Sequence, residues 1–305
     1  MDLSSGLPVF LVTLREGFEA ALVIGIVFAY LQKAGQTRLN RWVYQGMAGG
    51  VVASVLVGFL LAGILQGVSA SPSPYTPILK QLLAALFGIL AIALLSWMLI
   101  WMTRQARNLK SQVEADIAEA LAREQAGRLV ALAVFIAVLQ EGFETVLFIA
   151  AQAQSGWRGP ILGAVAGVMG AALLGYLLFN VGLKFDLRRF FQVLGVLLLL
   201  VIGGLLIGTL KNLNGAVETL SALIPAYRSW CWTPGDSCLL GPLVWDGANF
   251  LPDGKFPGIL LKALLGYRQS LYLAQVGAYG LFWLIVGGLY FSQGGKTRAE
   301  KAPQS

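Results

Sequence analysis

The sequence predicts an all-α membrane protein of seven transmembrane helices, built as an inverted 3+3 repeat plus a seventh helix. Three observations carry that expectation. Hydrophobic residues make up 57% of the 305 and charged residues only 12%, with a mean hydropathy of +0.73, so there is too little polar surface to cover a soluble globule of this length. Apolar runs of about 20 residues or more, enough to cross a roughly 30 Å hydrocarbon core, recur along nearly the whole chain. A short acidic motif, Arg15-Glu16-Gly17-Phe18-Glu19, returns 125 positions later as Gln140-Glu141-Gly142-Phe143-Glu144.

The expected spans cover 8–31, 42–67, 77–102, 128–152, 159–183, 189–213 and 271–292. Charged or proline-bearing breaks separate them at 33–41, 69–77, 156–160 and 184–189. Five segments follow: a first three-helix repeat (1–102), a cytoplasmic amphipathic linker helix (103–127), a second three-helix repeat (128–213), an extracytoplasmic loop (214–270), and a seventh helix with a cytoplasmic tail (271–305). The first eight residues contain no lysine or arginine, so the first apolar run lacks the basic flank of a signal peptide and is expected to stay in the mature chain.

Net charge is +7, and the basic residues flank apolar segments. Fourteen Lys and Arg fall in loops on one side of the predicted spans and seven on the other, with Arg15 inside a span. The rule that basic loops stay inside puts the N-terminus outside and the C-terminus in the cytoplasm of an inner (plasma) membrane. Membrane lipid, and not nucleic acid, is then the expected partner of this charge.

Within the linker, Leu109, Val113, Ile117 and Leu121 recur every four positions among charges, the pattern of a helix lying on the membrane or against the bundle. A regulatory role is the other reading. Cys231 and Cys238, the only cysteines, lie in the external loop, where a disulfide closing a small loop is expected. Two thiols alone fall short of a closed thiolate metal site. Trp230, Trp232, Trp245, Phe250 and Phe256 place that loop along the interface. Asp236, Asp246 and Asp253 are candidates for gathering a cation, although loop acids are ordinarily just solvated.

Gly46, Gly50 and Gly58 of the second span recur 117 positions on as Gly163, Gly167 and Gly175, giving both spans a Gly-x-x-x-Gly face for close helix approach. Gly88 and Gly195 form a weaker match between spans three and six. Three spans copied as three must insert upside down the second time, as in many transporters whose site lies at the midplane between repeats. Counted at about 1.5 Å per residue, Glu16 and Glu141 both fall near mid-depth.

Carboxylates inside apolar helices are costly and mark function by default. Glu16 and Glu19, like Glu141 and Glu144, are three apart and so project from one helix face. If all four converge, Arg15 neutralises about one of them, by pairing with Glu19 or across to the other repeat. The rest must take up protons or surround a cation. With no histidine and both cysteines outside, the site offers only oxygen, which favours hard ions and removes Glu-x-x-His di-iron and His-Glu-x-x-His enzyme chemistry. Gly17 and Gly142 leave room for neighbouring helices, and Phe18 and Phe143 are expected to pack. The competing reading is that each glutamate merely serves helix packing.

Arg15-Glu16-Gly17-Phe18-Glu19, its near copy at 140–144, seven spans with the N-terminus outside, and Gly266-Tyr267-Arg268 entering the last span resemble the oxidase-dependent iron permeases, the family of the fungal high-affinity iron permease and the bacterial EfeU-like proteins. The resemblance covers nearly the whole chain. It implies a transporter and not an enzyme, with iron, generally handled as Fe(III), as transported substrate in place of any cofactor. It implies Glu16, Glu19, Glu141 and Glu144 as ligands, and an extracytoplasmic oxidase or iron-delivery partner. Some relatives handle lead, so lead, manganese or another divalent cation is the alternative cargo, and a non-transporting sensor or assembly subunit the alternative class. Gln140 departs from the family, which usually has arginine there, and so removes one compensating positive charge.

Overall fold

A computed structural model describes residues 3–105, 109–123, 125–153, 156–182, 186–232, 237–247 and 249–292. Arg107, Lys184, Asp236, Lys296, Arg298 and Lys301 lie outside the described residues. The chain is mostly helical: α1 (Leu3–Lys33), α2 (Asn40–Ala70), α3 (Thr76–Gln105), α4 (Leu109–Leu121), α5 (Ala126–Gln152), α6 (Arg158–Phe179), α7 (Leu187–Leu223), α8 (Gly258–Leu265) and α9 (Leu273–Phe282). A π-helical turn, Trp283–Gly287, continues α9. Two short strands, β1 (Leu243–Asp246) and β2 (Ser270–Tyr272), pair antiparallel.

Among the described residues, six helical stretches are long and apolar enough to cross a membrane: Thr37–Ala70, Thr76–Trp101, Ala126–Gln152, Arg158–Phe179, Arg189–Leu223 and Leu273–Ser292. At 31 residues α1 has the length, but Arg15, Glu16 and Glu19 sit at its middle and it falls outside that set on charge. The chain is a multi-pass membrane protein, and its surface agrees. On α2, Leu56, Phe59 and Leu60 are exposed, as are Val168, Met169 and Leu173 on α6. Apolar faces of that size are stable against lipid and a liability in water.

The helices cross-pair. α1 packs principally against α6, and α5 against α2, while α3 packs on α7. The glycine faces explain why. A Cβ on Gly163 would meet the carbonyl of Gly6, on Gly167 the side chain of Thr13, and on Gly175 that of Ala21. The α2 glycines do the same on α5: Gly46 lies on the carbonyl of Ala131, Gly50 on Val138, and Gly58 on Val146. Backbones this close leave no room for a side chain, and the gain is van der Waals contact along the whole helix pair. Contacts climb both helices of each pair in step, so α1 runs parallel to α6 and α2 parallel to α5.

The main core joins α1, α3, α5 and α7 through Val12, Leu95, Phe148, Leu198 and Ile202. A second cluster closes the end of the bundle where α1 finishes and α5 starts. There Ile117 and Ala120 of α4 bury against Val27, Leu31, Val43, Val130 and Val134. The apolar face of the linker therefore lies against the bundle, and its charged pair, Arg123 with Glu119 at 2.6 Å, stays exposed.

Between 214 and 270 the structure is more ordered than a loop. α7 continues to Leu223, with Thr219 and Ser221 hydroxyls bonded to the carbonyls of Gly215 and Glu218, and stops before Pro225, which cannot supply the next N–H. A short 3₁₀ stretch, Pro225–Trp230, leads to Cys231 and Cys238, whose sulfurs are bonded at 2.00 Å. α8 ends at Gly266, whose φ of +68° is open chiefly to glycine and whose Cα rests on Gly204 of α7. Gln275 anchors α9 to α7, its amide donating to the carbonyl of Ile207 at 3.2 Å.

Candidate metal centre

Both acidic motifs lie within unbroken helix, so the three-residue spacing of each glutamate pair puts its carboxylates on one face. Gly17 rests on Ala171 of α6, and Gly142 on Ser54 of α2. These contacts fix how far each motif can turn. The faces meet where α1 crosses α5, and one carboxylate oxygen each from Glu16, Glu141 and Glu144 lies within 4.8 Å of the other two. Glu16 is fully enclosed, at 0% exposure.

Glu19 stands outside that triad. Its carboxylate is held by Arg15 Nε at 3.0 Å, and Arg15 Nη1 reaches Glu16 Oε1 at 3.3 Å. Arg15, itself 2% exposed, also donates to Met98 Sδ at 3.2 Å, so α3 contributes to the site. A lone methionine in an apolar span gives no sequence signal of that role. Of the two compensating pairings open to Arg15, the structure adopts those within its own motif. Gln140 begins the second motif at an exposed position one turn before Glu144 and brings no charge.

Glu16 Oε2, Glu141 Oε2 and Glu144 Oε2 are buried and no N–H or hydroxyl among the described residues donates to them, while the Glu16 and Glu141 carboxylates approach each other and the Gln140 side chain bonds the Glu144 carboxylate. A buried acceptor without a donor costs about 1–3 kcal/mol, and more when charged. Three of them on three clustered side chains form an oxygen-only cradle that a cation or protons would satisfy. The two phenylalanines part company. Phe18 is buried and stacks edge-on against Phe190 of α7, with ring centroids 4.8 Å apart, whereas Phe143 points out of the bundle and is 41% exposed. The expectation that both fill the core holds for the first alone. Asp246 and Asp253, in the segment between α7 and α9, are not part of the cluster.

A polytopic helical membrane protein with an acidic centre inside its bundle is the class that this fold and site define. Residues 6–297 match the iron permease FTR1 family, and the chain belongs to that family. It is a permease, a transporter and not an enzyme, of a family whose transported substrate is iron. Over 305 residues it is 53% identical to the uncharacterized protein slr0964 of Synechocystis, covering all of this chain and 98% of that one. The ferrous iron permease EfeU of Escherichia coli O157:H7 is 28% identical over 277 residues, 90% of this chain and 91% of the relative. The Yersinia pestis EfeU is likewise 28% identical, over 285 residues and 92% of each chain. No solved structure matches.

Proposed function

We propose that the protein imports iron across the inner membrane through a midplane site in which Glu16, Glu141 and Glu144 bind the ion and Glu19, held by Arg15, is the fourth ligand that joins as the ion passes. The observation carrying this reading is the set of three buried, unpartnered carboxylate oxygens on the clustered glutamates. An all-oxygen, strongly anionic cradle suits the hard Fe(III) ion. A second reading, carriage of Fe(II), is favoured by the description of the EfeU relatives as ferrous iron permeases. Delivery by an extracytoplasmic oxidase or iron-binding protein belongs to the first reading.

The protein spans the membrane seven times, α1 being the additional span, with the N-terminus outside and the C-terminus in the cytoplasm. Duplicated contacts support the inverted repeat. Moving α1 by 125 positions and α6 back by 117 turns the contact of Gly17 with Ala171 into that of Gly142 with Ser54. It likewise turns Gly163 on Gly6 into Gly46 on Ala131, and Gly175 on Ala21 into Gly58 on Val146. Consecutive spans run in opposite directions, so α1 parallel to α6 is antiparallel to α5, the relation an inverted repeat requires. The segments 1–102 and 128–213 are then the repeats, 103–127 is the linker, and 271–305 stands apart. Because each repeat's helices pack on the other's, the moving units are the pairs α1 with α6 and α2 with α5.

Radiolabelled iron uptake into proteoliposomes, supplied as Fe(II) and as Fe(III), tests the proposal. Glu16→Gln and Glu141→Gln each reduce uptake on the order of 100-fold, as expected when a buried charged ligand is lost. Unchanged uptake in both variants would sink the site.

A further inference from the structure

A cavity of about 310 Å³ lies at the end of the bundle where α1 begins and α5 ends. Pro8, Gln152, Thr209, Lys211, Lys262 and Arg268 line it. Pro8 is eight residues from Glu16 along α1, and Gln152 eight from Glu144 along α5. By either helix the cavity sits about 12 Å from the glutamate cluster, at 1.5 Å per residue. It lies about two turns of helix from the metal centre.

Its charge is the wrong sign for a bare metal ion. Among the described residues the wall carries two lysines and an arginine, and no carboxylate. Asp253 acts on Arg268 from beyond the wall, yet burial still draws the guanidinium below its ordinary range. A concave site lined by one sign of charge concentrates ions of the opposite sign and repels its own. Free Fe(II) or Fe(III) would be held off by such a wall. An anion would be drawn in.

Size and donor type narrow that anion. The volume is at the small end of the roughly 300–1,000 Å³ of ligand pockets, which fits a small molecule and excludes an acyl chain or a protein segment. An arginine fork matches a carboxylate in two-point contact, and flexible lysines serve as additional point charges. The Gln152 amide and the Thr209 hydroxyl add neutral polar groups.

We propose that this cavity binds a small polycarboxylate anion and receives iron as its negatively charged carboxylate chelate, directly above Glu16, Glu141 and Glu144. This rests on the transport reading above. Transfer inward exchanges one set of metal–oxygen bonds, to the chelator, for another, to the glutamates, with no change in the metal's oxidation state. The freed chelator stays with the cationic wall.

Equilibrium binding of radiolabelled citrate and of ferric citrate to the full chain in phosphatidylcholine nanodiscs tests it. Both ligands bind saturably, K262Q/R268Q weakens binding roughly tenfold or more, and K262R/R268K, which keeps the charges, restores it. Exposed Lys80, at the start of α3, is the control, and K80Q binds as the parent does. E16Q/E141Q keeps citrate binding while losing iron uptake, so failure of the glutamate site and failure of the cavity site are distinguishable. Absence of saturable citrate binding, or full affinity in K262Q/R268Q, overturns the proposal. Loss of citrate binding in phosphatidylglycerol nanodiscs assigns the cations to a lipid headgroup and overturns the chelate.

Discussion

The two acidic motifs share a backbone frame and differ in how their charge is compensated. On α1, Arg15 sits between Glu16 and Glu19 and contacts both, all three enclosed by the bundle. On α5, Glu141 and Glu144 each keep a buried oxygen without a hydrogen bond, and Gln140, where an arginine would stand, is exposed and neutral. The two motifs share their packing and not their electrostatics. The α1 motif carries its own cation, while the α5 motif has none, although Glu16 of α1 joins Glu141 and Glu144 in the cluster.

Making α1 resemble α5 should have the largest effect. Arg15→Gln leaves Glu16 and Glu19 buried without their cation and costs about 3–5 kcal/mol, read as a lowered unfolding temperature in nanodiscs. Adding Glu19→Gln removes one stranded charge and recovers part of that loss. A variant as stable as the parent would mean that Arg15 compensates nothing. The phenylalanines give the next contrast. Phe18→Ala opens a cavity against Phe190 and Phe191 and costs about 3 kcal/mol, while Phe143→Ala, at a lipid-facing position, stays within about 0.5 kcal/mol. Equal losses would contradict the burial difference between the repeats. The smallest change runs the other way. Gln140→Arg gives the second motif the charge of the first and should weaken iron binding about tenfold, read as a raised KM for uptake with the maximal rate retained.

Much of this was legible before any coordinates. Spans two to five were placed to within a few residues, because long apolar runs are bounded by charges and prolines. The motif glutamates stood out because carboxylates inside such runs are rare. The glycine rows at 46, 50 and 58 and at 163, 167 and 175 named the faces that meet, although not which helix each would meet. What escaped the sequence depends on neighbours distant in the chain. Helical spacing offers Arg15 a pairing with Glu19 or one across to the other motif, and cannot by itself choose the Glu19 pairing that the structure shows. Phe143 was read as core because apolar residues in a bilayer are equally at home facing lipid. The sixth predicted span stops at 213, whereas Asn214 Oδ1 accepts from the Leu239 backbone and the helix continues to Leu223.

The exchange of partners between halves has a bearing on how the chain is made. α1 leaves the ribosome before α5 and α6, carrying three charges at its middle that those later helices shelter. Until α5 emerges Glu16 has no companion glutamates, and until α6 follows Gly17 has no Ala171 to lie against. The helices of the first half have their main packing partners in the second, so the first half completes its packing only once the second has been made.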